Sequence, residues 1–263
     1  MLLLSIFGNP VSHSISPRLH NNVIHHLGID GCYVRKAIEN PADVLATFHA
    51  MKLDGANVTV PHKEVAFEQC DEVRGIAKEI GAINTLVKEN GKVIGYNTDA
   101  PGFFHSIASL GSIKRALILG AGGTAKALAL ILKENHVDVT VLNRSASRLQ
   151  PFLDKHIQAF SWENFEPKAF DIIINTTSAG LKDEEYPCEK SLLEKLLPQA
   201  RFAYDVIYHK QTPFMKLADD YKLICKDGKE MLLYQAVLAF ELFTQHAYDF
   251  ETIEALMRPI FEL

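Results

Sequence analysis

Short apolar runs alternate with longer amphipathic stretches along most of the chain, the pattern of strands and helices taking turns in an α/β fold. In the first hundred residues it predicts strands at Leu2–Phe7, Tyr33–Ile38 and Ala56–Val60, with helices at Pro17–Leu27 and Pro41–Met51. Asp71–Ile80 reads as a helix stopped by Gly81. A hairpin follows, Ala82–Lys88 and Lys92–Asn97, turning at Glu89-Asn90-Gly91. A helix from Ala100 to Leu110 leads to strands at Arg115–Leu119, Val137–Leu142, Asp171–Asn175 and Arg201–Ile207, with helices between them. Asp171–Asn175 and Arg201–Ile207 are near-continuous apolar runs, of the kind a parallel sheet buries on both faces. Two amphipathic helices, Lys229–His246 and Asp249–Phe261, end the pattern with no strand after them.

The turn after the Arg115–Leu119 strand is rich in glycine: Gly120-Ala121-Gly122-Gly123-Thr124-Ala125. Glycines let the backbone turn sharply and approach a pyrophosphate, whose charge then rests on the free N–H groups of the next helix. A glycine turn alone also serves ordinary loops, and here the spacing is Gly-x-Gly-Gly; the flanking strand, helix and strand strengthen the reading. About 20 residues on, an NAD site presents Asp or Glu to the ribose. This chain has Asn143-Arg144 there. A guanidinium pairs with a 2′-phosphate that a carboxylate would repel, so the segment reads as an NADP(H) site. In an open parallel sheet, ligands lie beyond the carboxyl ends of the strands. Gly120–Gly123, Asn143-Arg144, Thr176–Gly180 and Asp205–Tyr208 all fall at such ends and are expected to converge on one crevice.

Composition narrows the field. With 263 residues, 48% hydrophobic and 22% charged, the chain has the make-up of an ordinary globular protein with one or two domains. A net charge of −5 without a basic stripe gives no support for nucleic-acid or membrane-surface binding. No run approaches the ~20 apolar residues that span a bilayer, and Leu2–Phe7 is too short for a signal sequence. Cys32, Cys70, Cys188 and Cys225 are widely spaced and fit thiols in a reducing cytoplasm. The eleven histidines show no zinc spacing, so no metal is expected.

Polar residues gather in the first half. In Ser12-His13-Ser14-Ile15-Ser16-Pro17, Ser16 suits a helix cap and Pro17 the first turn, whereas Ser14 has no such role. Capping alone and capping combined with anion binding both remain open. Asn57-Val58-Thr59-Val60-Pro61-His62-Lys63 points Asn57 and Thr59 to one side, and Lys63 taken alone reads as a solvated surface residue. Asp99, before a helix, reads by default as an N-cap.

Taken in order, Gly8–Asn21, Asn57–Lys63, Gly81–Thr85, Asn97–Asp99, Gly120–Ala125, Asn143–Ser145, Asn175–Gly180, Asp205–Tyr208, Thr212-Pro213 and Met231–Gln235 resemble the shikimate dehydrogenase family over nearly the whole chain. The resemblance implies an N-terminal α/β substrate domain, 1–99 with 234–263, and a Rossmann-type doubly wound parallel-sheet domain, 100–233, with the active-site cleft between them. It implies NADPH-dependent reduction of 3-dehydroshikimate to shikimate in aromatic amino acid biosynthesis, by a cytoplasmic monomer or homodimer. The family's catalytic pair falls on Lys63 and Asp99. Its substrate contacts fall on Ser14, Ser16, Thr59, Lys63, Asn84, Asp99, Tyr208 and Gln235. Its cofactor contacts fall on Gly120, Ala121, Gly122, Gly123, Thr124, Ala125, Asn143, Arg144, Ser145, Thr176, Thr177, Ser178, Val206 and Gly228. Two departures stand out. The connection His209-Lys210-Gln211 is one residue shorter than usual, which implies a differently shaped loop by the nicotinamide, and Glu230 stands where the family commonly has glycine. A quinate/shikimate dehydrogenase using both NAD and NADP shares nearly every motif, although Arg144 speaks against NAD preference. A non-catalytic NADP-binding sensor is the alternative of a different class, and intact Lys63 and Asp99 speak against it.

Overall fold

A computed structural model describes residues 1–208 and 210–261. The chain divides into two compact units, 1–102 with 232–263, and 103–231. The first is built on a mixed sheet. Its strands are β1 (Leu2–Gly8), β2 (Gly31–Ala37), β3 (Gly55–Val58), β4 (Glu72–Val73), β5 (Thr85–Glu89) and β6 (Lys92–Tyr96), in the order β2-β1-β3-β5-β6-β4. β1 pairs in parallel with β2 and β3, while β3, β5 and β6 are antiparallel neighbours. The connecting helices are α1 (Ser16–His26), α2 (Val44–Ala50), α3 (Lys63–Gln69) and the short α4 (Ala77–Ile80), and α5 (Asp99–Ile107) leads out.

The second unit has a wholly parallel sheet of β7 (Arg115–Leu119), β8 (Asp138–Asn143), β9 (Gln158–Ser161), β10 (Ile172–Asn175), β11 (Phe202–Asp205) and β12 (Ile224–Asp227), ordered β12-β11-β10-β7-β8-β9. Helices α6 (Gly123–Glu134), α7 (Gln150–Leu153), α8 (Lys190–Leu196) and α9 (Pro213–Asp220) connect them. Strand order reverses direction from β7, the doubly wound arrangement that opens a crevice at the carboxyl ends of the central strands. The chain then returns to the first unit through α10 (Lys229–Phe243) and α11 (Phe250–Phe261). Among the described residues no helix is long and apolar enough to cross a membrane.

Several expectations from the pattern need correction. Glu72 and Val73 form an edge strand rather than the start of a helix, because Asp71 and Arg74 donate N–H groups to Val93 and Gly95 of β6, and the Asp71 carboxylate takes the Val93 N–H at 2.7 Å. Long-range pairing there outweighs local helix preference. Helix α3 and strands β9 and β12 were not expected; each is only four to seven residues long and too short for a clear period. Nor is α10 amphipathic. Leu233, Gln235, Ala236, Val237, Ala239, Phe240 and Phe243 are all buried, and no residue from Glu230 to Phe243 is fully exposed. A helix enclosed on every side reads as apolar all round.

The core beside α1 holds an unusual group. His20 is wholly buried and stacks on Tyr33 at 4.3 Å between ring centres, with Phe240 and Phe243 close by. Neither ring nitrogen has a hydrogen-bond partner among the described residues, and burial lowers the pKa from 6.5 to about 3. Between those two values only the unfolded chain takes up the proton, so folding stability is complete above pH 6.5 and is lost progressively as pH falls toward 3. We predict that His20→Phe flattens this acid limb when urea unfolding is followed as a function of pH. An unchanged slope would show that His20 is protonated in the folded protein.

Candidate active site

The polar residues of the first unit meet at the carboxyl end of β3 and the start of α5. Lys63 opens α3 and Asp99 opens α5, and their side chains pair at 2.5 Å, Nζ to Oδ2, with 31% and 19% of each exposed. Lys63 is therefore not the solvated surface lysine that its segment alone suggests. Asp99 is not the helix cap either. Asn97 takes that role, its Oδ1 accepting the Ala100 N–H at 3.1 Å, while the second Asp99 oxygen accepts from Asn84 Nδ2 at 2.9 Å. The carboxamide of Asn84 is itself locked, its Oδ1 accepting from the Thr98 N–H at 2.8 Å and the Thr85 hydroxyl at 3.0 Å.

At the start of α1, Ser14 rather than Ser16 serves the backbone. Ser14 Oγ accepts the Ser16 N–H at 3.2 Å and its hydroxyl donates to Ser16 Oγ at 3.1 Å, while the α1 cap position is Ile15 and has no side-chain cap. Two hydroxyls thus sit together beside an uncapped helix start, an arrangement that can hold a carboxylate. Arg35 fixes this loop from β2 by donating its Nε–H to the Ser14 carbonyl at 2.9 Å. Thr59 follows β3, half-buried, with its N–H on the Phe7 carbonyl at 2.8 Å. Gln235 is buried on α10 in close approach to α5: a Cβ on Gly102 would lie 2.7 Å from the Gln235 nitrogen.

In the second unit, a cavity of about 430 Å³ opens at the ends of β7, β8 and β10, and its walls include Gly120, Ala121, Gly122, Arg144, Arg148 and Thr177. Gly120 has φ +108°, and a Cβ there would meet Thr176 Oγ1 at 2.8 Å, so this turn requires glycine. Gly122 and Gly123 face open space, where a Cβ would occupy the volume above the helix start. The cap residue Gly122 has no side chain to satisfy the first N–H groups of α6. The guanidinium groups of Arg144 and Arg148 have no ion-pair partner among the described residues. The residues present thus fit a dinucleotide with a phosphorylated ribose: bare N–H groups for the pyrophosphate and two cations for a further phosphate.

Of the four segments expected to converge, three line this cavity; Asp205–Tyr208 is not among its walls. Asp205 is fully buried, and its carboxyl accepts from Asn175 Nδ2, the Ile207 N–H and the Thr212 hydroxyl at 2.6 Å. Burial raises its pKa against the pull of those bonds. It ties two strand ends and α9 together. Asn143 and Thr176 to Ser178 also line the cavity, whereas Ala125 is buried within α6, and Thr124 and Ser145 are exposed. Gly228 approaches Val206, whose carbonyl a Cβ would meet at 2.2 Å. Tyr208 is half-buried, which pushes its phenol up. Glu230 is ion-paired with Lys226, which also donates to the Ser106 carbonyl at 2.8 Å. In the short 209–211 connection, His209 lies outside the described residues.

Sequence reading missed Arg148, which lies four residues beyond Arg144 in a short helical turn whose register is invisible in a weak pattern. It also missed Tyr33, whose hydroxyl donates to Asn57 Oδ1 at 2.7 Å. Buried tyrosine on a strand is ordinarily core, and only the opposing Asn57 marks it as polar.

A doubly wound parallel sheet with a bare glycine turn, returning to a separate mixed-sheet unit, defines a two-unit protein of the Rossmann dinucleotide-binding class. Family models match in three places: the shikimate dehydrogenase substrate binding domain over 6–86, shikimate / quinate 5-dehydrogenase over 105–206, and the shikimate 5′-dehydrogenase C-terminal domain over 228–258. The chain is 47% identical over 252 residues to the shikimate dehydrogenase (NADP(+)) of Helicobacter hepaticus, covering 95% of this chain and 94% of that one. Among solved structures it is similar to shikimate 5-dehydrogenase of Thermus thermophilus in complex with NADP(H) and shikimate, at TM-score 0.85 and 31% identity, covering 98% and 99% of the two chains. It is also similar to a ligand-free 5-ketofructose reductase of a Gluconobacter species, at TM-score 0.83 and 29% identity, covering 98% of both. The chain belongs to the shikimate dehydrogenase family.

The tie at Asp205 gives a direct expectation. Thr212→Val removes both the hydroxyl that serves this buried carboxyl and the cap that accepts the Met215 N–H. We expect urea unfolding to register a loss of about 2–3 kcal/mol. A loss below ~0.5 kcal/mol, within the range of ordinary surface changes, would show that the carboxyl finds another partner.

Proposed function

We propose that this chain catalyses the reversible NADPH-dependent reduction of 3-dehydroshikimate to shikimate, in the cytoplasm, as a monomer or homodimer. The observation that carries the reading is the half-buried Lys63–Asp99 pair, braced by Asn84, in a chain of this family. When bound, NADPH supplies the hydride. The ketone oxygen that gains negative charge needs a proton or a cation within hydrogen-bond reach, and the Lys63 ammonium offers both. Asp99 holds that ammonium and accepts from the neighbouring ring hydroxyl. Ser14 and Ser16 receive the substrate carboxylate at the start of α1, and Thr59, Asn84, Tyr208 and Gln235 are assigned to the ring hydroxyls.

For the cofactor, the turn from Gly120 to Ala125 takes the pyrophosphate on its N–H groups. Asn143, Arg144 and Ser145 hold the adenosine 2′-phosphate, together with Arg148. Thr176, Thr177 and Ser178 form the opposite wall, and Val206 and Gly228 meet the nicotinamide. The reading is tested by following reduced-cofactor absorbance with shikimate and quinate, each with NADP and NAD, and with 5-ketofructose, with NADPH and NADH. Turnover confined to shikimate with NADP supports it. Faster turnover of either other substrate would overturn it.

Two substitutions probe the assigned roles. Lys63→Ala is expected to lower kcat by ~10²–10⁴-fold with a smaller change in KM for shikimate, the signature of an interaction made in the transition state. Near-normal kcat with a raised KM would instead make Lys63 a binding residue. Arg144→Ala is expected to weaken NADP by about ten- to a hundredfold while leaving NAD little changed, as loss of a charged hydrogen bond to phosphate requires. Equal loss for both cofactors in a direct binding titration would remove the 2′-phosphate assignment.

A further inference from the structure

Beneath the proposed substrate residues runs an unbroken line of hydrogen bonds, almost wholly buried. Tyr33 donates to Asn57 Oδ1 at 2.7 Å, and Asn57 Nδ2 donates to Thr85 Oγ1 at 3.1 Å. The Thr85 hydroxyl donates to Asn84 Oδ1 at 3.0 Å, Asn84 Nδ2 donates to Asp99 at 2.9 Å, and Asp99 receives Lys63.

Donor and acceptor counts fix the direction. A backbone N–H can only donate, so the Thr98 N–H at 2.8 Å identifies the nearby Asn84 atom as oxygen and leaves the Asn84 NH₂ facing Asp99. A hydroxyl has one proton, and Thr85 places it on Asn84. Its lone pairs must then receive Asn57 from the amide side, which turns the Asn57 oxygen toward Tyr33. Asn57 has its second N–H on the Asn84 carbonyl at 3.3 Å, so neither of its amide protons is left over. Thr85 is fully buried and is the joint between the two carboxamides.

We propose that Thr85 is a positioning residue whose hydroxyl couples the Asn57 and Asn84 carboxamides and so holds Asn84 on Asp99 of the Lys63–Asp99 pair. The proposal rests on the assignment of Lys63 and Asp99 as the catalytic pair. Replacing Thr85 by valine keeps the shape and removes the joint. Asn57 is then left with one amide proton lacking a partner, its other remaining on the Asn84 carbonyl, and Asn84 loses one of the bonds that aim it at Asp99. One buried substitution that touches no substrate therefore loosens the brace on Asp99.

Thr85→Val is expected to lower kcat/KM for shikimate by about 5- to 150-fold, the cost of a buried unsatisfied donor, with kcat falling and KM rising, while the Kd for NADP stays unchanged. Thr85→Ser keeps the hydroxyl and should retain near-normal kinetics. In ¹⁵N-resolved NMR, the side-chain amide protons of Asn57 and Asn84 should exchange with solvent faster in Thr85→Val than in wild type or Thr85→Ser. That readout needs no turnover, so absence of shikimate oxidation by the wild type would overturn the proposed function while the coupling is still tested. A Thr85→Ser enzyme impaired as severely as Thr85→Val, or a Thr85→Val protein with normal kinetics and unchanged amide exchange, would overturn the coupling. Should Thr85→Val not fold, the serine comparison decides: the proposal requires near-normal kinetics there.

Discussion

The ion pair between Lys63 and Asp99 is the interaction on which the first unit's site is organised. Two charges held at 2.5 Å and half-shielded from water need further hydrogen bonds, since desolvation otherwise offsets much of their attraction. Asn84 provides one to Asp99, and the backbone of Thr98 fixes Asn84 in turn. The pair is therefore built on main-chain positions set by the sheet. β3 ends at Val58, just before the segment leading to Lys63, and the β5–β6 hairpin brings Asn84 and Asp99 to the same end. Pairing of β3 with β5 sets Asn57 opposite Thr85, which is why the polar line crosses between strands there.

The second unit answers a different constraint. A parallel sheet collects its loops at one end, and the strand order starting from β7 places the glycine turn, Arg144 and Thr177 around one cavity. Buried Asp205 stabilises the neighbouring strand ends without lining that cavity. Its carboxyl resembles a functional group in sequence but is fully engaged by Asn175, Ile207 and Thr212. Arg144 and Arg148, in contrast, form no ion pair among the described residues, although Asp183 and Glu185 line the same cavity, and their free guanidinium groups suit an anionic ligand.

Much of this was legible in the chain. Alternating apolar runs reveal the α/β class because buried parallel strands and their crossover helices have different periods. Lys63, Asp99 and Asn84 were legible through ordered family motifs; from its own segment, each has an ordinary explanation. What stayed hidden depends on long-range pairing. Glu72 and Val73 become a strand only because β6 offers them an edge, and α10 loses its amphipathic pattern because the core closes around it. Tyr33 and Arg148 were likewise invisible, one as an apparent core residue and the other in a turn too short to show a period. Lys63 looked solvated because its partner lies 36 residues away.

The proposed mechanism depends on Lys63 and Asp99 acting as one unit, and a double-mutant cycle measures that directly. Steady-state shikimate oxidation is compared for wild type, Lys63→Ala, Asp99→Asn and the combined variant. Residues that work together lose most of their effect once either is gone. The account predicts that the combined variant is little slower than the slower single variant. If instead its kcat fell by the product of the two separate losses, the two residues would act independently and the paired mechanism would be contradicted.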